Sequence, residues 1–99
     1  MQHGGDIRHL QLRIARWADE KFPNRTIQDV LIKVFEELGE YIREPSARHE
    51  IADVMILVLD AAHLAGIHDV DDAIREKMEI NEKRSWKLDP QTRIMRHEQ

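Results

Sequence analysis

The chain reads as an all-α protein, a four-helix bundle completed by oligomerisation. Three observations predict this. Apolar residues recur at spacings of three and four through most of its 99 residues, the period of a helix with one buried face. Glycine and proline are scarce, 4 and 3 in number, with the prolines at segment boundaries, and no alternating strand pattern of useful length or internal repeat interrupts them. The third segment, IADVMILVLDAA, is apolar nearly all round. A helix of that kind is buried on every side, and three short neighbours are too few to wrap it, so a second copy is expected against it.

The first helix covers about residues 6–21. Ile7, Leu10, Ile14 and Trp17 make its stripe, and it ends before Pro23, because the residue preceding a proline avoids the helical region. FPNRT is a connector. The second helix starts at Thr26, which with Asp29 resembles a capping box. Its apolar face is Ile27, Val30, Leu31, Val34, Leu38, Tyr41 and Ile42, and Pro45 closes it. The third runs from about Ser46, a good N-cap, to Ala65, with Gly66 as the residue after the cap. The fourth runs from about Val70 to Trp86, with Asp69 or Asp71 near its N-cap. Residues 1–86 form one helical domain, and the tail 87–99, with Pro90 and weak periodicity, is either mobile or an arm over a neighbouring subunit.

Composition narrows the function. The chain is 41% hydrophobic and 34% charged, the profile of a globular protein. Its net charge is −4 with no basic run, a poor match to a nucleic-acid backbone, though a small phosphorylated ligand needs only a local site. Without cysteine there are no disulfides and no thiolate sites. The longest apolar run, Val54 to Leu59, is far short of a membrane span. No secretory signal is evident in MQHGGDIRHL, and the expected location is cytoplasmic.

The chemistry concentrates in FEELGE. Glu37 and Glu40, three apart, lie at the edge of the apolar face of the second helix; Glu36 lies farther round, and Lys33 shares the strip with Glu37. Glu50 and Asp53 form a second pair on the third helix. Asp53 precedes six apolar residues, and an unpaired buried carboxylate costs several kcal/mol or loses its charge. Consecutive antiparallel helices make the two pairs face each other. Four converging carboxylates require cations, and Mg²⁺ fits them, since it takes oxygen ligands and leaves room for water and substrate phosphate. On the fourth helix Lys77, Asn81 and Arg84 share a stripe suited to polyphosphate. Trp17 and Trp86 offer flat surfaces for a base. Each piece alone is commonplace on a solvated or core-facing helix; the case rests on their occurring together in this order. Asp60 and His63 make a D-x-x-H, for which a satisfied histidine near a helix C-terminus is the simpler account.

In that order the residues resemble the MazG-like all-α nucleoside triphosphate pyrophosphohydrolases. EELGE resembles their EExxE, EIAD their ExxD, and KMEINEKRSW their KMxxNxxRxW-like ending, over about residues 10–86. The resemblance implies a four-helix MazG-like bundle, a homodimer or homotetramer, and Mg²⁺-dependent cleavage of a nucleoside triphosphate to a monophosphate and pyrophosphate, with Mn²⁺ as an alternative ion. It makes Glu37, Glu40, Glu50 and Asp53 the metal ligands and gives Glu36 a supporting or base role beside Glu37. Lys33 would bind phosphate or pair with Glu37. Lys77, Asn81 and Arg84 would hold phosphate and sugar, and Trp17 would line the base pocket. The implied mechanism has water attack a phosphorus of the α–β linkage while Lys77 and Arg84 offset charge on the leaving pyrophosphate. The chain departs from the family in the short link between Glu40 and Glu50, which demands a tight turn at REPSAR. Two other readings are a non-catalytic helical oligomer that binds a nucleotide or protein, and a carboxylate-bridged di-iron bundle using Asp60 and His63.

Overall fold

The computed structural model describes residues 3–98; residues 1, 2 and 99, at the ends of the expected domain and tail, lie outside it. Four helices follow in order: α1 (His3–Lys21), α2 (Ile27–Arg43), α3 (Arg48–Leu64) and α4 (Val70–Glu82), then two short strands, β1 (Trp86–Leu88) and β2 (Met95–His97). α2 packs most extensively on α3, α1 lies across α3, and α4 rests chiefly on α1.

The helix boundaries have local causes. Thr26 caps α2 through a complete capping box: Asp29 N–H donates to Thr26 Oγ1 at 3.1 Å, and Thr26 N–H donates to Asp29 Oδ2 at 3.0 Å. The expected cap of α3 shifts. Ala47, not Ser46, holds the N-cap position and makes no side-chain bond, because the link is short enough that residues 44–47 are consumed by a turn, Ala47 N–H to Glu44 O at 3.1 Å. Glu50 consequently sits in the first turn of α3, at the positive end of the helix dipole. At the other end Gly66 takes φ +79°, with Gly66 N–H on His63 O and Ile67 N–H on Ala62 O at 3.0 and 2.9 Å. This is a Schellman closure, and it needs a residue that tolerates positive φ.

α4 ends at Glu82, earlier than expected. The Asn81 carbonyl accepts from Arg84 N–H and from Trp86 Nε1, at 3.2 and 2.8 Å, which caps the helix and turns the chain outward. The tail then forms an antiparallel hairpin pairing Trp86 with His97, Lys87 with Arg96 and Leu88 with Met95. Its turn is built on Asp89, whose carboxylate accepts from Gln91 and Thr92 N–H at 2.8 and 3.1 Å and is thereby held below the usual carboxylate range. The alternation of a half-buried strand is missing from the sequence because all six strand residues are exposed.

The core is small: Ala15, Ala18, Val30, Val54, Leu59 and Ala61. Fully buried Gln11 ties α1 to the end of α3, its Nε2 donating to Leu59 O and Ile67 O at 3.1 and 3.0 Å. The neighbours do not wrap α3 within one chain. Ile51, Met55, Ile56 and Val58 remain 37 to 47% exposed, and Ile32, Phe35 and Ile42 on α2 more so. No described helix is long and apolar enough to cross a membrane.

Candidate active site

The α2–α3 pair brings three carboxylates together. Glu37, Glu40 and Glu50 each place an oxygen within 4.8 Å of the others. Glu37 is largely covered, and Glu50 Oε2 is buried with no hydrogen-bond partner among the described residues. The Glu40 carboxyl is pushed above its ordinary range. Its hydrogen bond with Glu37 contributes most, followed by the Glu37 charge, desolvation, and the charges of Glu50 and Glu36. Among the described residues Lys33, 3.5 Å from Glu37, is the cation at this cluster, too little positive charge for three crowded acids around a buried oxygen. A hard divalent cation with oxygen ligands fits this donor set.

The other predicted acids lie apart from this group. Asp53, one turn along α3 from Glu50, is exposed, outside the three-carboxylate group, and lines an adjoining groove. The burial expected for it does not occur within one chain, because α3 is covered only in part. Glu36 is exposed and bonded to Lys33 Nζ at 2.7 Å; Lys33 also lies 3.5 Å from Glu37 Oε1. The Glu36 bond is the main cause holding the ammonium above its usual range.

The groove has a volume of about 1440 Å³ and runs between α1, α2, α3 and the connector at 22–26. Lys33, Glu37 and Asp53 line it, as do Trp17 and Phe22, whose rings meet edge to face at 5.8 Å. Glu37 stands about 12 Å along α2 from Asp29, which adjoins the connector. The groove therefore has an acidic end and an aromatic end.

Arg25 lies under the aromatic end. Its Nε and Nη2 donate to the two oxygens of Asp60 at 2.7 and 2.8 Å, and its Nη1 donates to Asp19 Oδ1 at 3.0 Å. Both Arg25 and Asp60 side chains are buried. The bond to Asp60 is the largest cause holding the guanidinium charged more firmly than usual, against the opposing effect of burial. Sequence reasoning missed this pair. The available signal was Asp60 itself, an acid in an apolar helix that needs a cationic partner. With both oxygens engaged by Arg25, Asp60 is not free for the D-x-x-H di-iron role. His63 packs against His68 at 5.3 Å between ring centroids, and its Nδ1 is buried without a hydrogen-bond partner among the described residues, so the satisfied histidine expected there is not observed among them.

The α4 stripe is not brought to the groove within one chain. Lys77, Asn81 and Arg84 are absent from its lining, because α4 rests on α1. Asn81 Oδ1 is buried with no hydrogen-bond partner among the described residues, while Lys77 and Arg84 are exposed. Trp86, the second expected base platform, instead meets His97 edge to face at 5.8 Å.

Comparison with known proteins gives the family. A family model described as dATP/dGTP pyrophosphohydrolase matches residues 10–98. A protein of Salmonella phage PMBT28 named dATP/dGTP diphosphohydrolase is 45% identical over 86 residues, 83% of this chain and 28% of that protein, so the chain spans under a third of that relative. One of Cyanophage S-2L with the same name is 44% identical over 82 residues, 81% of this chain and 77% of that protein. The solved Cyanophage S-2L MazG-like pyrophosphohydrolase, bound to dGDP and three catalytic Mn²⁺ ions per active site, has a TM-score of 0.83 at 41% identity, covering 94% of this chain and 97% of that one. The likeness extends past the four helices to the hairpin, since the family match reaches residue 98. The chain belongs to the dATP/dGTP pyrophosphohydrolase family, a group of MazG-like all-α nucleoside triphosphate pyrophosphohydrolases.

Proposed function

We propose that the chain hydrolyses dATP and dGTP to the monophosphate and pyrophosphate with Mg²⁺ or Mn²⁺ held by Glu37, Glu40 and Glu50. The observation that carries this is the buried Glu50 Oε2, without a hydrogen-bond partner among the described residues, within a cluster of three acids beside the groove. The names of the relatives and the dGDP and Mn²⁺ of the solved neighbour support the substrate and the ion class. A bound divalent ion supplies charge to offset the phosphates and lowers the pKa of a coordinated water.

The chain's own residues do the rest. Glu37, Glu40 and Glu50 would hold the ion, with Glu37 also lining the groove, and Asp53 adds an acid to the α3 side of the groove. Glu36 and Glu37, both beside Lys33, are the carboxylates assigned to take the proton of the attacking water. The water oxygen bonds to a phosphorus of the α–β linkage, the bond from that phosphorus to the bridging oxygen breaks, and the bridging oxygen stays on the other phosphorus as monophosphate and pyrophosphate separate. Lys33 can exchange Glu36 for a substrate phosphate, and Trp17 lines the end that receives the base. Lys77, Asn81 and Arg84 meet the phosphates and sugar from a second copy, in a homodimer or homotetramer whose contact covers the exposed apolar face of α3. The reading carries a cytoplasmic location.

Glu40 provides a test. Because its folded-state pKa is raised, its ionised form is disfavoured in the fold. Its contribution to stability is complete below the ordinary carboxylate range and is lost as pH rises through the raised value. Without metal, Glu40→Gln is therefore expected to raise the melting temperature at pH 8, with a smaller gain at pH 4. The same variant is expected to lose most of the rise that Mn²⁺ gives the parent and most of its turnover of dGTP. Melting scans in EDTA and in Mn²⁺ check this. A parent unaffected by Mn²⁺ and by Mg²⁺ would count against the site.

A further inference from the structure

We propose that the Phe22–Arg25 turn reads the base of the substrate, with Asn24 the specificity-determining residue at the purine 6-position and Arg25 a positioning residue that holds the turn. The inference rests on the dATP and dGTP reading given above and assigns the part of the site that meets the base.

The turn leaves the end of α1 through Phe22 N–H to Ala18 O at 2.7 Å and closes with Arg25 N–H to Phe22 O at 3.1 Å. Pro23 at its second position pre-sets the backbone. The Arg25 side chain then fastens it in three directions: to Asp60 on α3, to Asp19 on α1, and to its own Phe22 carbonyl at 3.3 Å. Phe22, Pro23 and Asn24 are left lining the groove beside Trp17.

Most polar groups at this end are already committed. Asp60 has both oxygens on Arg25. Asp29 closes the capping box with Thr26. Arg13 lines the groove too, but a guanidinium only donates. It suits the 6-oxo group of guanine and gives nothing to the 6-amino group of adenine. The Asn24 side chain makes no hydrogen bond among the described residues. An amide has one acceptor oxygen and two N–H donors. Rotated one way it accepts from the 6-amino group; rotated the other it donates to the 6-oxo group. It is the side chain here that serves both purines without rebuilding the pocket, and the buried Arg25–Asp60 pair holds the turn that carries it along the groove with Trp17 and Phe22.

Asn24→Asp separates the two purines, because a carboxylate only accepts. With Mn²⁺, kcat/KM for dGTP is expected to fall about tenfold or more relative to dATP. Asn24→Ala is expected to lower both while leaving their ratio near that of the parent. Arg25→Lys keeps a charge opposite Asp60 but loses the fork, and is expected to raise KM for both nucleotides with kcat held. An unchanged dATP to dGTP ratio in Asn24→Asp, in a protein whose parent turns over both, overturns this inference alone. An unchanged KM in Arg25→Lys overturns the positioning role. No turnover of either nucleotide by the parent overturns the functional reading and this inference with it.

Discussion

Glu50→Gln is expected to weaken Mn²⁺ or Mg²⁺ binding by about a hundredfold or more and to reduce turnover to background. Loss of a group that merely supports a ligand already costs about 10–100-fold, and Glu50 is assigned as a ligand itself. The change is close to isosteric, so packing is conserved and one charge is removed. That charge sits in the first turn of α3 with a buried oxygen that no described residue satisfies. In EDTA the variant is expected to melt no lower than the parent, because one member of a repelling cluster has been neutralised. Titration calorimetry with Mn²⁺ and melting scans separate the two effects. Glu37→Gln and Asp53→Asn extend the test to the neighbouring acids. Turnover retained in both, alongside normal metal affinity in Glu50→Gln, would remove the acidic cluster from the reaction.

Arg25→Ala is expected to destabilise the protein by about 3–5 kcal/mol, the cost of stranding a buried charge. Asp60 is only 4% exposed, and Arg25 engages both of its oxygens. A loss of that size is a large share of the ~5–15 kcal/mol available to a domain. Urea midpoints give the number. Replacing both partners by well-packed apolar residues, Arg25→Met with Asp60→Leu, is expected to recover most of the loss, since an apolar pair often matches a buried ion pair in stability. A double variant as unstable as Arg25→Ala would show that packing around the pair, rather than its charge, holds the connector.

The helices were legible because each carries its own local signals. Thr26 and Asp29 form the capping box that their spacing announces, and Gly66 takes the positive φ expected of the residue after the cap. The pairing of Glu37 and Glu40 with Glu50 was legible for the same reason: helical spacing and one short link leave little freedom in how α2 meets α3. What was not legible depended on contacts distant in sequence or on burial. Asp53 was expected to be covered because α3 is apolar nearly all round, yet one chain leaves much of that helix open. The Arg25–Asp60 pair joins residues 35 positions apart, and no periodicity encodes it. Lys77, Asn81 and Arg84 do share a helix, but their relation to the groove is set by where α4 packs, which is against α1. The hairpin escaped notice because its three-residue strands are exposed on both faces and leave no apolar alternation.

The most direct test of the central claim is pyrophosphate release from a panel of canonical and modified nucleoside and deoxynucleoside triphosphates, with Mn²⁺, with Mg²⁺ and with EDTA. The expected result is release from dATP and dGTP above the rest of the panel, with either ion present, abolished by EDTA and by Glu50→Gln. Release from no nucleotide, or release that EDTA leaves untouched, would contradict it.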